Sequence, residues 1–570
     1  MRKFCLPSAA ALSILLAAPV TSNDKLTHPS VVPAPAVSNI LPADVPLIVM
    51  VNTQPEAWNL SRFQLFQAAS AIPQFLPFVQ QLHYTEDIGS WLGDQVALVM
   101  MPVGSEAVTL DSSFLVLAPV KNESRLQAFL DKFKFSEQQG IIKRQHKGTT
   151  ILKLQLPQSW QLPNVSSKPQ GLPKKRSLEM AFLPGYIVAA LTAKPIEQLI
   201  DTYKESDRLA QNPQFQKTVQ HFRSHQTLFT LYENPAKFLP LVKSLAKDSS
   251  LPFPLLLSSS VYSEQLQAYS TLDASLLGQT EGLRWQINAY RRTPKTDIAN
   301  NILRPEASQV LAWLPAATYS LTAGSNLEQQ WQTMAAAFSA DPQLKDLLTQ
   351  FRNFFHTSTG LDIERDVTAW MDGEYVFFLY PTKGGLSKLI GSNFNLGIGF
   401  LVQTSDRAAA EATLRKLEQS IKSRSDGAIT VASRSIKGEP VTSWESQVGN
   451  SSQSLFAHSW VNSNTLLITT GLGAMADLVP QPYISLAKSY TFKTATRSLP
   501  QPNIGYSYIN MGSFLSWFYG FLLPQYDDPS LQAFKEIPGT IRSISATSSI
   551  TTEREQYDGL VVLAPAKASR

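Results

Sequence analysis

The stretch Asp87-Ile-Gly-Ser-Trp91-Leu-Gly-Asp-Gln-Val96 returns later in the chain as Asp366-Val-Thr-Ala-Trp370-Met-Asp-Gly-Glu-Tyr375. Leu82, Asp87, Ile88, Trp91, Leu92 and Pro102 answer to Leu361, Asp366, Val367, Trp370, Met371 and Pro381 in one register, a constant shift of 279 positions (87 to 366). Self-similarity at this distance predicts a tandem duplication, which bears on the architecture before any single element is assigned.

Working outward, the correspondence continues with small drifts as loops change length. Phe114-Leu-Val-Leu matches Gly399-Phe-Leu-Val, and each leads into a charged helical stretch, Glu123 to Lys134 or Arg407 to Lys422. A strand with a late glycine follows, Gly148 or Gly438. Ile187-Val-Ala-Ala-Leu-Thr then matches Leu466-Leu-Ile-Thr-Thr-Gly, and Asn234 to Leu239 matches Asn510 to Leu515. The expected units are residues 41–300 and 301–566, each near the largest size at which one core is usually kept.

Within a unit, short β-branched and aromatic runs alternate with longer helical stretches, which predicts an α+β fold: two tandem homologous units, each a largely antiparallel sheet with flanking helices. Val96 to Met101 and Tyr375 to Tyr380 are continuously apolar, as central strands covered on both faces would be. Asn212 to His225 and Leu327 to Phe338 read as helices, with Asn212 and Asn326 as N-caps. Pro157 to Pro173 reads as an exposed loop, with a shorter equivalent around Gly449 to Ser454.

Residues 1–22 have the form of a secretory signal: Arg2 and Lys3, an apolar run through Leu16, then small residues up to Ser22. Residues 23–40, rich in Pro, Ser and Val, read as a flexible tether. Loss of the leader removes Cys5, the single cysteine, together with Arg2 and Lys3, so the formal charge of +5 falls to about +3. A cysteine-free mature chain excludes disulfides, cysteine nucleophiles and cysteine-ligated metal. No later run reaches the roughly 18 apolar residues of a membrane-spanning helix. With 49 basic and 44 acidic side chains interspersed, nothing marks a nucleic-acid surface.

Candidate chemistry is thin. Gly471-Leu-Gly473-Ala-Met-Ala476 imitates a dinucleotide-binding turn, but Pro480 and Pro482 stop its helix and no acidic residue ends a second strand, so it reads as a strand-to-helix turn. His221 and His225 have metal-compatible spacing on one helix face, yet lack a third ligand and a match in the second unit. Lys168 and Lys174-Lys175-Arg176 read as a solvated basic patch. Asp87 and Asp366, each four residues before Trp91 or Trp370, read as structural: the carboxylate accepts backbone N–H groups while the indole is buried. No catalytic residue, cofactor site or metal site is assigned, and enzymatic activity is not expected.

The units differ most after Asn510. Lys237-Phe-Leu-Pro-Leu-Val-Lys243 is charged at both ends, whereas Phe514-Leu-Ser-Trp517-Phe518-Tyr519-Gly-Phe521-Leu-Leu523 is apolar nearly all round. Such a helix is buried against the other unit or presents Phe514, Trp517, Phe518 and Phe521 to a partner or apolar ligand.

The segment Leu41-Pro-Ala-Asp-Val-Pro-Leu-Ile-Val-Met-Val-Asn52, taken with the Asp-x-x-x-Trp motif, resembles an uncharacterised family of exported proteins common in cyanobacteria, known only as a domain of unknown function. The resemblance implies the periplasm or the thylakoid lumen. The functional expectation is a non-enzymatic exported scaffold that binds a protein partner or membrane-associated assembly. A carrier of an apolar lipid or pigment, held between the repeats, comes second, and an envelope hydrolase last.

Overall fold

The two apolar runs at Val96 and Tyr375 lie in the middle of their sheets, where a strand has neighbours on both sides. A computed structural model describes residues 35–58, 60–65, 84–102, 110–132, 141–155, 177–203, 207–221, 227–245, 266–294, 309–340, 342–385, 396–448, 451–501, 503–522 and 539–566. These fall into two compact units, within Asp24–Thr293 and Pro294–Ala564, the first also taking in Pro565–Arg570.

The first unit contains β1 (Leu47–Asn52), β2 (Gln95–Met100), β3 (Phe114–Pro119), β4 (Ile142–His146), β5 (Thr149–Gln155), β6 (Ser177–Leu183), β7 (Tyr186–Ala190), β8 (Thr227–Glu233), β9 (Tyr269–Gln279) and β10 (Gly282–Arg291). All of its pairings are antiparallel, in the order β4-β5-β6-β7-β3-β2-β1-β8-β9-β10. The second contains β11 (Ser320–Ser325), β12 (Glu374–Pro381), β13 (Leu396–Gln403), β14 (Ile429–Ile436), β15 (Glu439–Val448), β16 (Ser451–Trp460), β17 (Thr465–Thr469), β18 (Ser507–Asn510), β19 (Ile541–Ile550) and β20 (Arg554–Leu563). Its order is β14-β15-β16-β17-β13-β12-β11-β18-β19-β20, again antiparallel throughout. The two orders are the same, strand for strand. So are the registers at the centre: Leu47 faces Met100 and Glu233, and Ser320 faces Leu379 and Ile509.

Besides a single turn at Leu110–Ser113, the α-helices described are α1 (Glu123–Lys132), α2 (Ala193–Thr202), α3 (Pro213–His221) and α4 (Pro235–Leu245) in the first unit, then α5 (Leu327–Ala340), α6 (Pro342–Thr359), α7 (Arg407–Arg424), α8 (Gly471–Ala476), α9 (Tyr490–Thr496) and α10 (Met511–Leu522) in the second. Because side chains alternate along a strand, each sheet has two faces to cover. One face of the first sheet, with Ile48, Ala97, Val99, Leu115 and Val188, is sealed by Ile196 and Leu199 of α2 and Phe215 of α3. In the second unit Val376, Phe378, Tyr380 and Leu401 are sealed by Ala474 and Met475 of α8 and Phe492 of α9.

Asn212 and Asn326 cap their helices as expected: Asn212 Oδ1 accepts from Gln214 N at 2.9 Å, and Asn326 Oδ1 from Gln329 N at 2.9 Å. The late glycines sit in matching two-residue hairpins. Lys147 and Gly148 have φ of 43° and 85°, and Lys437 and Gly438 have φ of 52° and 91°, the positive pair that matches the twist of the flanking strands. Gly473 serves close packing: a Cβ on it would lie 2.5 Å from Gly384 Cα.

Three expectations need correction. The end of the expected tether is core, since Ala36–Asn39 forms a 3-10 turn that buries Val37 and places Ile40 beside it. Ser451 to Ser454, read as loop, opens β16 and pairs with β15. The central strands are not covered on both faces, because Leu98 and Phe377 are exposed. The loop expected at Pro157 to Pro173, the leader and most of the tether lie outside the described residues.

Gly399 pairs with Phe378, and a Cβ on it would lie 2.2 Å from the buried Phe378 ring. Gly399→Ala should therefore overpack the second core and cost about 1–3 kcal/mol, read as a lower urea midpoint.

Candidate functional site

The repeated Asp and Trp form matched nodes. In the second unit Ile363–Val367 makes one π-helical turn, which Asp362 begins by accepting Arg365 N at 2.7 Å. Asp366 is buried there, with Oδ2 accepting Asp362 N at 2.9 Å and Oδ1 accepting Lys416 Nζ at 2.9 Å. Trp370 Nε1 donates to the Asp366 carbonyl at 3.2 Å, and the indole packs with Ala410 and Leu414 of α7. In the first unit the π turn is Tyr84–Ile88, Lys132 Nζ donates to Asp87 Oδ1 at 2.5 Å and Trp91 Nε1 to the Asp87 carbonyl at 2.8 Å. Trp91 packs against Phe129 of α1, with ring centroids 5.6 Å apart. Each node pins the helix that follows β3 or β13 onto the sheet.

Lys132 and Lys416 complete these nodes, and motif reading missed them because they stand far along the chain from their aspartates. A signal existed. Each stands at the same depth of a matching helix, nine positions after Glu123 or Arg407. The backbone N–H of Asp362, then Lys416 and Arg365, hold the Asp366 carboxyl down at about 2. At neutral pH it is a fixed anion, unsuited to donating a proton.

The covered clusters leave a strip open between them. On β2, Val96 belongs to the Trp91 cluster, Met100 to a cluster with Leu241 of α4, and Leu98 between them is 41 % exposed. On β3, Ala118 and Phe114 join the same two clusters, and Val116 between them is 40 % exposed. Leu98 and Val116 are direct cross-strand partners. In the second unit Phe377, next along β12 from the covered Tyr375, is 47 % exposed and pairs with the half-buried Phe400. Each unit thus presents an apolar sheet floor at the same strand position, beside α1 and α4 in one unit and near α7 in the other. Beside this floor, a cavity of about 360 Å³ opens between α1 and the β6–β7 hairpin, lined by Leu126, Leu130, Phe182 and Tyr186 with Glu123 and Gln127.

The aromatic helix α10 is half-buried rather than sealed. It packs on β18 and β19 of its own unit. Trp517 lies 6.0 Å from the Tyr319 ring and 5.7 Å from Phe514, which stacks on Phe518 at 6.1 Å. The Phe521 side chain, the His221 and His225 pair, Lys168 and Lys174 to Arg176 fall outside what is described. Among the described residues, no group of three or more His, Cys, Asp or Glu could hold a metal, and no helix is long and apolar enough to cross a membrane.

The family described as Protein of unknown function (DUF3352) matches residues 7–563, nearly the whole chain. The chain belongs to that family. No curated protein matches this DUF3352 chain. Among solved structures, crystal form IV of TP0453 is similar at a TM-score of 0.25 with 12% identity, covering 46% of this chain and 81% of that one. Crystal form III of TP0453 gives 0.26 and 10%, covering 48% and 83%. Likeness at that level carries no argument about what the DUF3352 chain does.

Two outcomes follow from this geometry. The stability contributed by Asp366 is fully present above the ordinary carboxylate value of 3.8 and is lost as pH falls through about 2. Asp366→Asn should flatten that acid limb in urea midpoints measured from pH 5 to pH 2. The pair Trp517→Ala with Phe518→Ala removes half-buried rings, so it should cost about 2–4 kcal/mol while leaving the far-UV spectrum intact. Loss of the folded spectrum would make α10 core.

Proposed function

We propose that this chain is an exported, non-enzymatic interaction protein of the periplasm or thylakoid lumen, which offers an apolar surface to a protein partner or membrane-associated assembly. We also infer that its two units descend from one ancestral unit. The shared strand order, the shared central register and the paired Asp, Trp and Lys nodes support that descent. The apolar leader at residues 1–22 supports export.

One observation carries the interaction reading: the open apolar floor at Leu98 and Val116, repeated at Phe377. Single exposed apolar side chains are ordinary on any surface. Large apolar residues left open on a sheet face at the same strand position of both units are a different matter, because covering them would gain about 25 cal/mol per Å². A photo-crosslinking residue at 98 or 377, activated in intact cells, should trap a reproducible neighbour that one placed at the exposed Lys121 does not. With the crosslinking residue at 98, Val116→Glu beside it should lower that yield at least about tenfold with an unchanged far-UV spectrum. Equal yields from 98, 377 and 121 would sink the reading.

The cavity beside α1 favours a second reading, a carrier of an apolar small molecule such as a lipid or pigment. Its volume of about 360 Å³ and its apolar walls suit part of such a molecule. Organic extraction of the purified protein followed by mass spectrometry separates the two, since an interaction protein comes up empty.

A further inference from the structure

Direct partners across the first sheet form the row Phe114, Met100, Leu47, Glu233, Leu272, Ala289. The matching row of the second sheet is Ile398, Leu379, Ser320, Ile509, Ile544, Val561. Where the second row has isoleucine, the first has a carboxyl set among apolar neighbours. The Glu233 side chain is half-buried, with one carboxyl oxygen, Oε1, shut off from water and without a hydrogen-bond partner among the described residues. An unpaired carboxylate in such a place is strongly disfavoured, whereas the neutral acid is tolerated.

This row is the seat of α4. Phe238 and Leu241 of the helix pack with Leu47, Met100 and Phe114. Glu233 immediately precedes Asn234, whose carbonyl accepts Lys237 N at 3.0 Å and Phe238 N at 2.8 Å to start the helix. The helix is also weak from within, because Pro240 stands inside it and removes one backbone hydrogen bond. Its counterpart α10 contains no proline.

We propose that Glu233 makes the seating of α4 depend on pH: with the acid neutral the helix lies on its apolar row, and ionisation loosens it and uncovers Leu47, Met100 and Phe114. Among the described residues, the charged groups on this side are Lys237 of the helix, Asp44, which binds Lys237 at 3.1 Å, and Arg291 of β10, held 6.0 Å over the Tyr269 ring; Asp273 of β9 is held by Thr218 at 2.8 Å and Asn288 at 2.7 Å. On the neighbouring strands β1, β2 and β9 the row itself supplies only Leu47, Met100 and Leu272. Burial, not a neighbouring charge, lifts the Glu233 carboxyl to about 7. The direction follows from that: between the ordinary value of 4.5 and about 7 the seated form holds a proton that the open form has lost, so seating weakens as pH rises through this window.

Hydrogen exchange on the full chain tests it, read on the α4 amides after correction for intrinsic rate and with α2 as internal reference. Protection in α4 should fall on the order of tenfold from pH 5.5 to pH 8, while α2 holds. Glu233→Gln, and Glu233→Ile as the second unit's residue, should keep α4 protected at both pH values. Equal protection of wild-type α4 at the two pH values would overturn the proposal, as would the same pH dependence persisting in Glu233→Gln. The wild-type comparison decides the matter even where a variant fails to fold.

Discussion

Ten antiparallel strands at the usual spacing span about 43 Å. A helix with its side chains covers about 10 Å of that width. This mismatch governs both units. Helices and turns can seal one face of each sheet fully, and they do so with Ile48, Val99 and Leu115 in one core and Val376, Phe378 and Leu401 in the other. The opposite face receives fewer helices than it needs. Among the described residues they gather over the Trp91 and Met100 clusters in one unit, and over the Trp370 cluster and β18–β19 in the other, leaving Leu98, Val116 and Phe377 exposed.

The Asp and Trp nodes fix where the bare floor begins. A buried indole bonded to a backbone carbonyl, with a lysine reaching in from the helix above, holds that helix at one end of the sheet. With the helix held there, Leu98 and Phe377 stay outside its footprint. The motif most visible in the chain thus sets the border of the open apolar surface.

Much of this was legible in the residues. The recurring Asp and Trp, the caps at Asn212 and Asn326, and the apolar runs at Val96 and Tyr375 all report local constraints, in which a side chain answers to groups a few positions away. What stayed hidden depends on distant partners. Lys132 and Lys416 look like ordinary helix surface until the sheet brings Asp87 and Asp366 beneath them. Val37 and Ile40 follow a proline-rich stretch and read as tether, yet one short turn is enough to insert them into the core. A continuous apolar run cannot distinguish a strand covered on both faces from one left open on the second, because the covering elements are remote in sequence. Glu233 likewise passes for an ordinary strand-end charge until the register sets it between Leu47 and Leu272.

The matched hairpins β4–β5 and β14–β15 stand at one end of each sheet order, and among the described residues β4 and β14 pair on one side only. Lys143 and Arg144 occupy the first of these outer strands and Arg434 the second, with Arg144 tied to Glu197 at 2.7 Å and Arg434 to Glu445 at 2.7 Å. A stranger's backbone trying to extend either ladder would have to displace or desolvate those cations. Those cations therefore guard the outer strands β4 and β14, so that apolar ground can stay uncovered on the sheet face without ladder growth through these two edges.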